Sequence, residues 1–185
     1  MNFEFIKNEK ISDVVIIEPK PIFDSRGYFF ESFNQKSFEE NIGSINFIQD
    51  NESKSKYGTL RGLHYQLPPF AQSKLVRVIK GAVLDVAVDI RKDSPTFLKH
   101  VIVRLSEENQ RQLFIPRGFA HGFIVLSEEV VFAYKVDNYY SKEHDRGIRF
   151  DDKKIHINWQ LSPEEIILSE KDKNQPLVDF VKDWF

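Results

Sequence analysis

The chain has no cysteine, so disulfides, cysteine nucleophiles, thiolate zinc sites and cysteine-held clusters are excluded. Long apolar runs are missing as well. The longest are Val14–Ile17, Phe123–Leu126 and Val130–Tyr134, far short of the roughly 20 residues that span a bilayer as a helix. The first ten residues mix charged and apolar side chains and have no apolar block of the kind a secretory signal needs. A soluble, cytoplasmic chain with no membrane partner is expected. An excess of positive charge is also lacking: 26 Lys and Arg stand against 28 Asp and Glu, a net charge of −2. That balance argues against a nucleic-acid partner held along its phosphate backbone. A local basic pocket for one phosphorylated small molecule stays open.

What remains is an ordinary globular composition, 41% hydrophobic and 29% charged, with Phe the dominant aromatic at 17 residues. A length of 185 residues suggests one domain, residues 1–185. The pattern is β-rich. Asp13–Glu18 is a short apolar run stopped by Pro19 and Pro21. In Lys74–Asp89 apolar residues recur at every second position on both sides of Gly81, which predicts two half-buried strands joined by a glycine turn. His100–Leu105, Gln112–Ile115, Gly122–Leu126 and Val130–Val136 continue the series, a spacing that suggests a sandwich or barrel. Two helix starts are expected, at Ser37–Glu40 and at Ser162–Glu165, both with capping-box spacing. Leu177–Phe185 reads as a packing tail.

Five histidines are present. His100 and His156 adjoin apolar runs and read as strand-end or surface residues, and His144 lies in a charged turn and reads as solvated. His64 and His121 differ. Both lie in glycine-bracketed turns with cations nearby, Leu60-Arg61-Gly62-Leu63-His64-Tyr65-Gln66 and Ile115-Pro116-Arg117-Gly118-Phe119-Ala120-His121-Gly122-Phe123, and in the second the histidine enters the next strand.

The Pro116-x-Gly118-x-x-His121 spacing is similar to the second motif of the cupins, which many of them use to place a metal ligand. The His-x-His pair of their first motif is missing here, because Tyr65 and Gln66 follow His64. A facial triad or zinc site needs about three strong ligands. No metal is therefore expected, and acid–base or binding roles are favoured for the histidines. A metal-dependent cupin remains a competing reading.

From about Asp13 to Val178 the chain resembles one cupin family, the nucleotide-sugar 3,5-epimerases of the dTDP-4-dehydrorhamnose 3,5-epimerase type. The ordered marks are Asp24-Ser25-Arg26-Gly27-Tyr28-Phe29-Phe30-Glu31, Gln49-Asp50-Asn51 and Arg61-Gly62-Leu63-His64-Tyr65-Gln66. Lys74-Leu75-Val76-Arg77-Val78, Asp85–Arg91, Ser94-Pro95-Thr96-Phe97, Ile115–Phe123, Tyr134-Lys135 and Leu168-Ser169-Glu170-Lys171-Asp172 follow. The resemblance implies an all-β, cupin-type double-stranded β-helix (jelly roll) with a few short flanking helices. It implies epimerisation of a 4-keto-6-deoxy nucleotide-diphosphate sugar, of the dTDP-4-dehydro-6-deoxyglucose type, with no cofactor.

The C4 ketone of such a sugar acidifies the protons on C3 and C5. Inversion then needs a base on one face, a positive group at the developing enolate oxygen and an acid on the other face. By resemblance His64 is the base, Asp172 orients it, Lys74 stabilises the oxyanion and Tyr134 is the opposite-face acid. Free imidazole titrates near 6.5, so a neutral base at pH 7 is reasonable. Arg26, Arg61 and Lys171 match the family's phosphate-binding cations. Glu31, Gln49, Asn51, His121, Tyr140 and Asp145 complete the substrate pocket by resemblance. Asp145 stands where the family often carries Glu, and Phe150 where Trp is common. The family pattern is a homodimer with shared active sites, in which Arg26 and Glu31 serve the neighbouring subunit. C3-only or C5-only epimerisation, keto-isomerisation, a GDP-linked 4-keto heptose substrate and a non-catalytic sugar-nucleotide binder are the alternatives.

Overall fold

Side chains on a strand point alternately to its two faces, so a chain that alternates along many short segments builds sheets with two distinct surfaces. The computed structural model describes residues 2–185. Its first half runs β1 Phe3–Lys7, β2 Val15–Pro19, β3 Ile22–Asp24, β4 Gly27–Phe29, α1 Gln35–Asn41, β5 Gln49–Lys56, β6 Leu60–Gln66 and β7 Lys74–Lys80. It continues with β8 Ala82–Asp89, β9 His100–Ser106, β10 Gln112–Ile115, β11 Phe119–Val125, β12 Glu129–Val136, β13 Asp145–Gly147 and the short α2 Glu170–Lys173. Single 3₁₀ turns lie at Pro163–Glu165 and Val178–Phe180.

The strands form two facing antiparallel sheets. One has the order β1-β2-β10-β7-β12-β5 and the other β13-β6-β11-β8-β9, while β3 and β4 make a separate ribbon. This is the cupin-type jelly roll. Apolar inner faces meet between the sheets, with Val76, Val78, Leu113, Ile115 and Phe132 on one side against Val83, Ala87, Val103, Phe119 and Phe123 on the other.

Both sheets are also covered on their outer faces. Leu84, Val86, Val88 and Ile90 pack under a layer that includes Ile155, Trp159 and Val178, with Trp184 and Phe185 against it. The C-terminal tail is therefore packing, as expected. On the six-stranded sheet α1 places Phe38 against Phe3, Val15, Leu75 and Phe114. The Phe-rich composition finds its place here: Phe38 meets Phe47 and Phe114 edge-on, with ring centroids 5.3 Å apart in each case. Such pairs are worth about 0.5–1.5 kcal/mol each beyond area burial.

Several expectations are corrected. The strands flanking Gly81 are not hairpin partners: β7 pairs with β10 and β12, β8 with β9 and β11. Gly81, at φ +82°, carries the chain from one sheet to the other. Every residue of β8 is buried rather than half of them, because the tail covers its outer face. The first helix begins earlier than Ser37. Asn34 is its cap and accepts the Ser37 backbone N–H at 3.1 Å. The second expected helix is only a 3₁₀ turn, although its capping box at Ser162 and Glu165 is present. His144 is held rather than freely solvated: its Nδ1 lies 2.8 Å from Ser141 Oγ and its ring packs on Phe70.

Asp89 ends β8 fully buried, and it explains one of the sequence blocks. Its carboxylate accepts from Arg91 Nε at 2.9 Å, Arg91 Nη2 at 2.7 Å, Ser94 Oγ at 2.6 Å and Thr96 Oγ1 at 2.6 Å. Burial alone pushes Asp89 up, but the bonds from Arg91, Ser94 and Thr96 outweigh it and hold the carboxyl at about 2. Asp89→Ala is expected to lower urea-unfolding stability at pH 7 by roughly 3 kcal/mol, since it strands a hydrogen-bonded charge network. A depressed carboxyl stabilises above its unfolded value. The wild-type advantage over Asp89→Ala should therefore fade as pH falls from 3.8 towards about 2.

Candidate active site

The inner faces are apolar on the side of β9 and β2 and polar on the side of β5 and β6. A cavity of about 530 Å³ opens there. One sheet supplies Lys74 from β7, Ser53 from β5, and Phe132 and Tyr134 from β12. The facing sheet supplies Arg61 and His64 from β6 and His121 and Phe123 from β11. Leu168, Ser169, Lys171 and Asp172, at the start of α2, close one side.

His64 is in a strand, not in the turn expected for it. It lies opposite His121 in the β6–β11 register, and the register slips by one residue between there and the Arg61–Phe123 pair. Gly62 is the extra residue, at φ +131°, and a Cβ on it would lie 2.5 Å from Gly122 Cα. This bulge turns both Arg61 and His64, three positions apart, towards the same cavity.

Two His–carboxylate pairs follow. His64 Nε2 is 2.5 Å from Asp172 Oδ1, a contact that bridges 108 residues of chain. Asp172 is 3% exposed. Burial pushes its carboxyl up, but hydrogen bonds from His64 and Ser169, with the charge of Lys171, hold it below the ordinary value. His121 Nε2 is 3.0 Å from each oxygen of Asp85, which is fully buried. Burial lowers His121 despite Asp85 beside it, and Lys74 and His64 add to the lowering, so the imidazole is neutral at neutral pH.

Lys74 faces this second pair. Burial brings its ammonium down to about 8, while Asp85 and Asp145 work to keep it charged. Tyr134 hangs from the opposite sheet to His64, and burial raises its phenol although Arg61 pulls the other way. Phe123 and Phe132, stacked with centroids 4.2 Å apart, form an apolar wall beside them.

The cavity thus gathers seven of the residues expected from the sequence: His64, Lys74, Tyr134, Asp172, Arg61, His121 and Lys171. Asp145 ion-pairs with Lys171 and accepts the Tyr140 hydroxyl at 2.9 Å, placing both at the cavity margin. Gln49 donates to Asn51 at 2.7 Å on β5, two and four positions along the same face from Ser53. Arg26 and Glu31 lie elsewhere. Arg26 is on the β3–β4 ribbon, paired with Asp24 at 2.6 Å, and Glu31 accepts from Asn2 at 2.9 Å. Among the described residues no cluster of three or more potential metal-ligating side chains occurs.

Sequence reasoning missed Asp85, Ser53 and Ser169. Asp85 had a signal: a charge at an inward position of the most apolar strand, where only a paired carboxylate is tolerated.

A half-buried imidazole on one wall and a phenol and an ammonium on the facing wall are groups that an isomerase inverting carbon centres through an enolate can use, set here on a cupin scaffold. The chain belongs to the dTDP-4-dehydrorhamnose 3,5-epimerase family, whose model matches residues 8–179. It is 60% identical over 176 residues to the dTDP-4-dehydrorhamnose 3,5-epimerase of Shigella flexneri, covering 94% of this chain and 96% of that one. Among solved structures it is similar to the dTDP-6-deoxy-D-glucose-3,5-epimerase of Legionella pneumophila in complex with dTDP-4-keto-L-rhamnose. The two share 48% identity at a TM-score of 0.93, with 97% and 94% of the chains covered. It also resembles a mutant form of a 3′-monoepimerase from Streptomyces bikiniensis in complex with dTDP. That match has 29% identity and a TM-score of 0.87, with 94% and 87% of the chains covered.

Proposed function

We propose that this protein catalyses 3,5-epimerisation of a dTDP-linked 4-keto-6-deoxy sugar, and that His64, Lys74, Tyr134 and Asp172 carry the reaction. The observation behind this reading is the placement of His64 and Tyr134 on facing sheets of one cavity, with Lys74 lining it from the sheet that carries Tyr134. His64 removes the proton from C5 or C3. The C–H electron pair moves into the ring and the C4 carbonyl becomes an enolate. The ammonium of Lys74 faces the oxygen where this charge develops, and a dry, preorganised donor is most effective there. Tyr134 delivers its phenolic proton to the opposite face, which inverts the carbon. Solvent then takes the proton from His64 and restores the one on Tyr134, so each cycle is redox-neutral and needs no cofactor.

Arg61 and Lys171 sit where a diphosphate can lie at the mouth, with Tyr140, Asp145, Gln49 and Asn51 around the nucleotide. A charged nucleotide sugar does not cross a bilayer unaided, so the proposed setting is the cytoplasm.

The test is proton NMR of the dTDP-linked 4-keto-6-deoxyglucose substrate with the protein in D₂O. Deuterium should enter at both C3 and C5. Entry at one carbon would reduce the protein to a mono-epimerase, and entry at neither would refute enolate chemistry on this substrate.

The proposed working form is a homodimer. The β3–β4 ribbon leaves Ile22, Phe23, Tyr28 and Phe29 exposed at 69%, 69%, 58% and 68%. Apolar side chains grouped in this way mark an interface. Arg26 and Glu31 ride on or beside the ribbon, away from their own cavity. In a two-fold dimer each ribbon would lend these residues to the other subunit's site. Mixing Arg26→Ala with His64→Ala protein, after exchange of subunits, is expected to regain substantial activity, because one site per mixed dimer combines an intact base with an intact ribbon. Activity no higher than that of the separate variants would contradict the shared site.

A further inference from the structure

The two His–carboxylate pairs differ in how the carboxylate is held. Asp85 turns both oxygens to a single nitrogen of His121. Asp172 divides its oxygens: Oδ1 faces His64 at 2.5 Å, and Oδ2 accepts the Ser169 hydroxyl at 2.7 Å. The same serine oxygen accepts the Asp172 backbone N–H at 3.1 Å, which makes Ser169 the N-cap of α2. A cap needs only the oxygen lone pair. The hydroxyl proton is left over for a second task, and it is aimed at the carboxylate of the very residue whose N–H is capped. Ser169 also lines the cavity.

We propose that Ser169 is a positioning residue for the base: its hydroxyl locks the rotation of the Asp172 carboxylate and takes up part of its charge, so that Oδ1 is presented to the His64 ring in one orientation. The inference rests on the reading of His64 as the base. The carboxylate sits on a short helix, and without this second bond it would be held through Oδ1 alone. A base misdirected by a fraction of an ångström loses much of its advantage. The other groups facing the pair are Lys171 of α2, itself paired with Asp145 of β13, His121 of β11, Lys74 of β7, Arg61 of β6 and Tyr134 of β12. All of these are unchanged by substitution at Ser169, so a difference between variants reports the hydroxyl.

The experiment compares wild type with Ser169→Ala, Ser169→Gly and Ser169→Thr in kcat, KM and the pH profile of kcat/KM on the dTDP-linked 4-keto-6-deoxy sugar. Glycine is a tolerated N-cap, so Ser169→Gly removes the hydroxyl while keeping the helix start. Ser169→Ala and Ser169→Gly are expected to lose about tenfold in kcat with KM nearly unchanged. The acid limb of their profiles should move to higher pH, because an undivided carboxylate charge holds the protonated imidazole more firmly. Ser169→Thr should restore both. A kcat and acid limb in Ser169→Gly equal to those of wild type would overturn the proposal, leaving Ser169 a cap and nothing more. The His64 ring titration, followed by NMR, gives a readout independent of turnover. If wild type proved inactive on this sugar, the proposed function would fail, and the His64 titration would still test the Ser169 contact. An identical His64 titration in wild type and Ser169→Gly would separately overturn the Ser169 contact.

Discussion

A carboxylate inside a protein must be paired, and two such carboxylates organise this cavity. Asp85 is fully buried and Asp172 is 3% exposed. Leaving either alone would cost several kcal/mol, so each fixes a histidine at a set place and orientation. The rest of the site follows from that requirement. Asp85 anchors His121 and offsets the burial of Lys74. Asp172 reaches His64 only because the C-terminal segment wraps back over the barrel mouth. That segment is itself pinned by Thr59 bridging Ile167 and by the apolar layer on the five-stranded sheet.

The jelly roll supplies what chemistry at a planar enolate needs. Two sheets facing across a cavity can bring a proton acceptor and a proton donor to opposite faces of one ring. The β6 bulge at Gly62 and the stacked Phe123–Phe132 wall refine the shape. The electrostatics run the same way. A neutral His121, an ammonium lowered to about 8 at Lys74 and a raised Tyr134 phenol all reflect burial. Only Lys74 is brought towards neutral pH, while the Tyr134 phenol is kept protonated until a strong base such as an enolate draws its proton off. The active site and the core are thus two halves of one interior, divided by which inward positions carry polar side chains.

Much of this was legible in the sequence. Alternation located β7 to β12 to within a few residues, and the all-β class followed from their spacing. The topology did not, because a glycine turn at Gly81 looks the same whether it closes a hairpin or crosses between sheets. The buried outer face of β8 was hidden for a similar reason: only the distant tail reveals it. At the site, resemblance to the family marked His64, Lys74, Tyr134 and Asp172, but the chain alone could not show that residues 64 and 172 meet. Asp85 went unassigned because it lies in a block with an adequate structural reading, a strand, and Ser169 because only the fold shows that it caps α2 and bonds the Asp172 carboxylate. β5 was missed altogether, since as an edge strand it reads Gln-Asp-Asn-Glu-Ser-Lys-Ser-Lys, with no apolar face to betray it.

The central claim is that proton removal and proton return occur from opposite walls, His64 on one and Tyr134 on the other. Its most direct test is a substrate deuterated at C5, followed by NMR in ordinary water for loss of label and for the inverted product. His64→Ala should suppress both together, on the order of 10²–10⁴-fold. Tyr134→Phe should keep losing label while the inverted product falls away. Inverted product at the wild-type rate from Tyr134→Phe, or undiminished label loss in His64→Ala, would contradict the account.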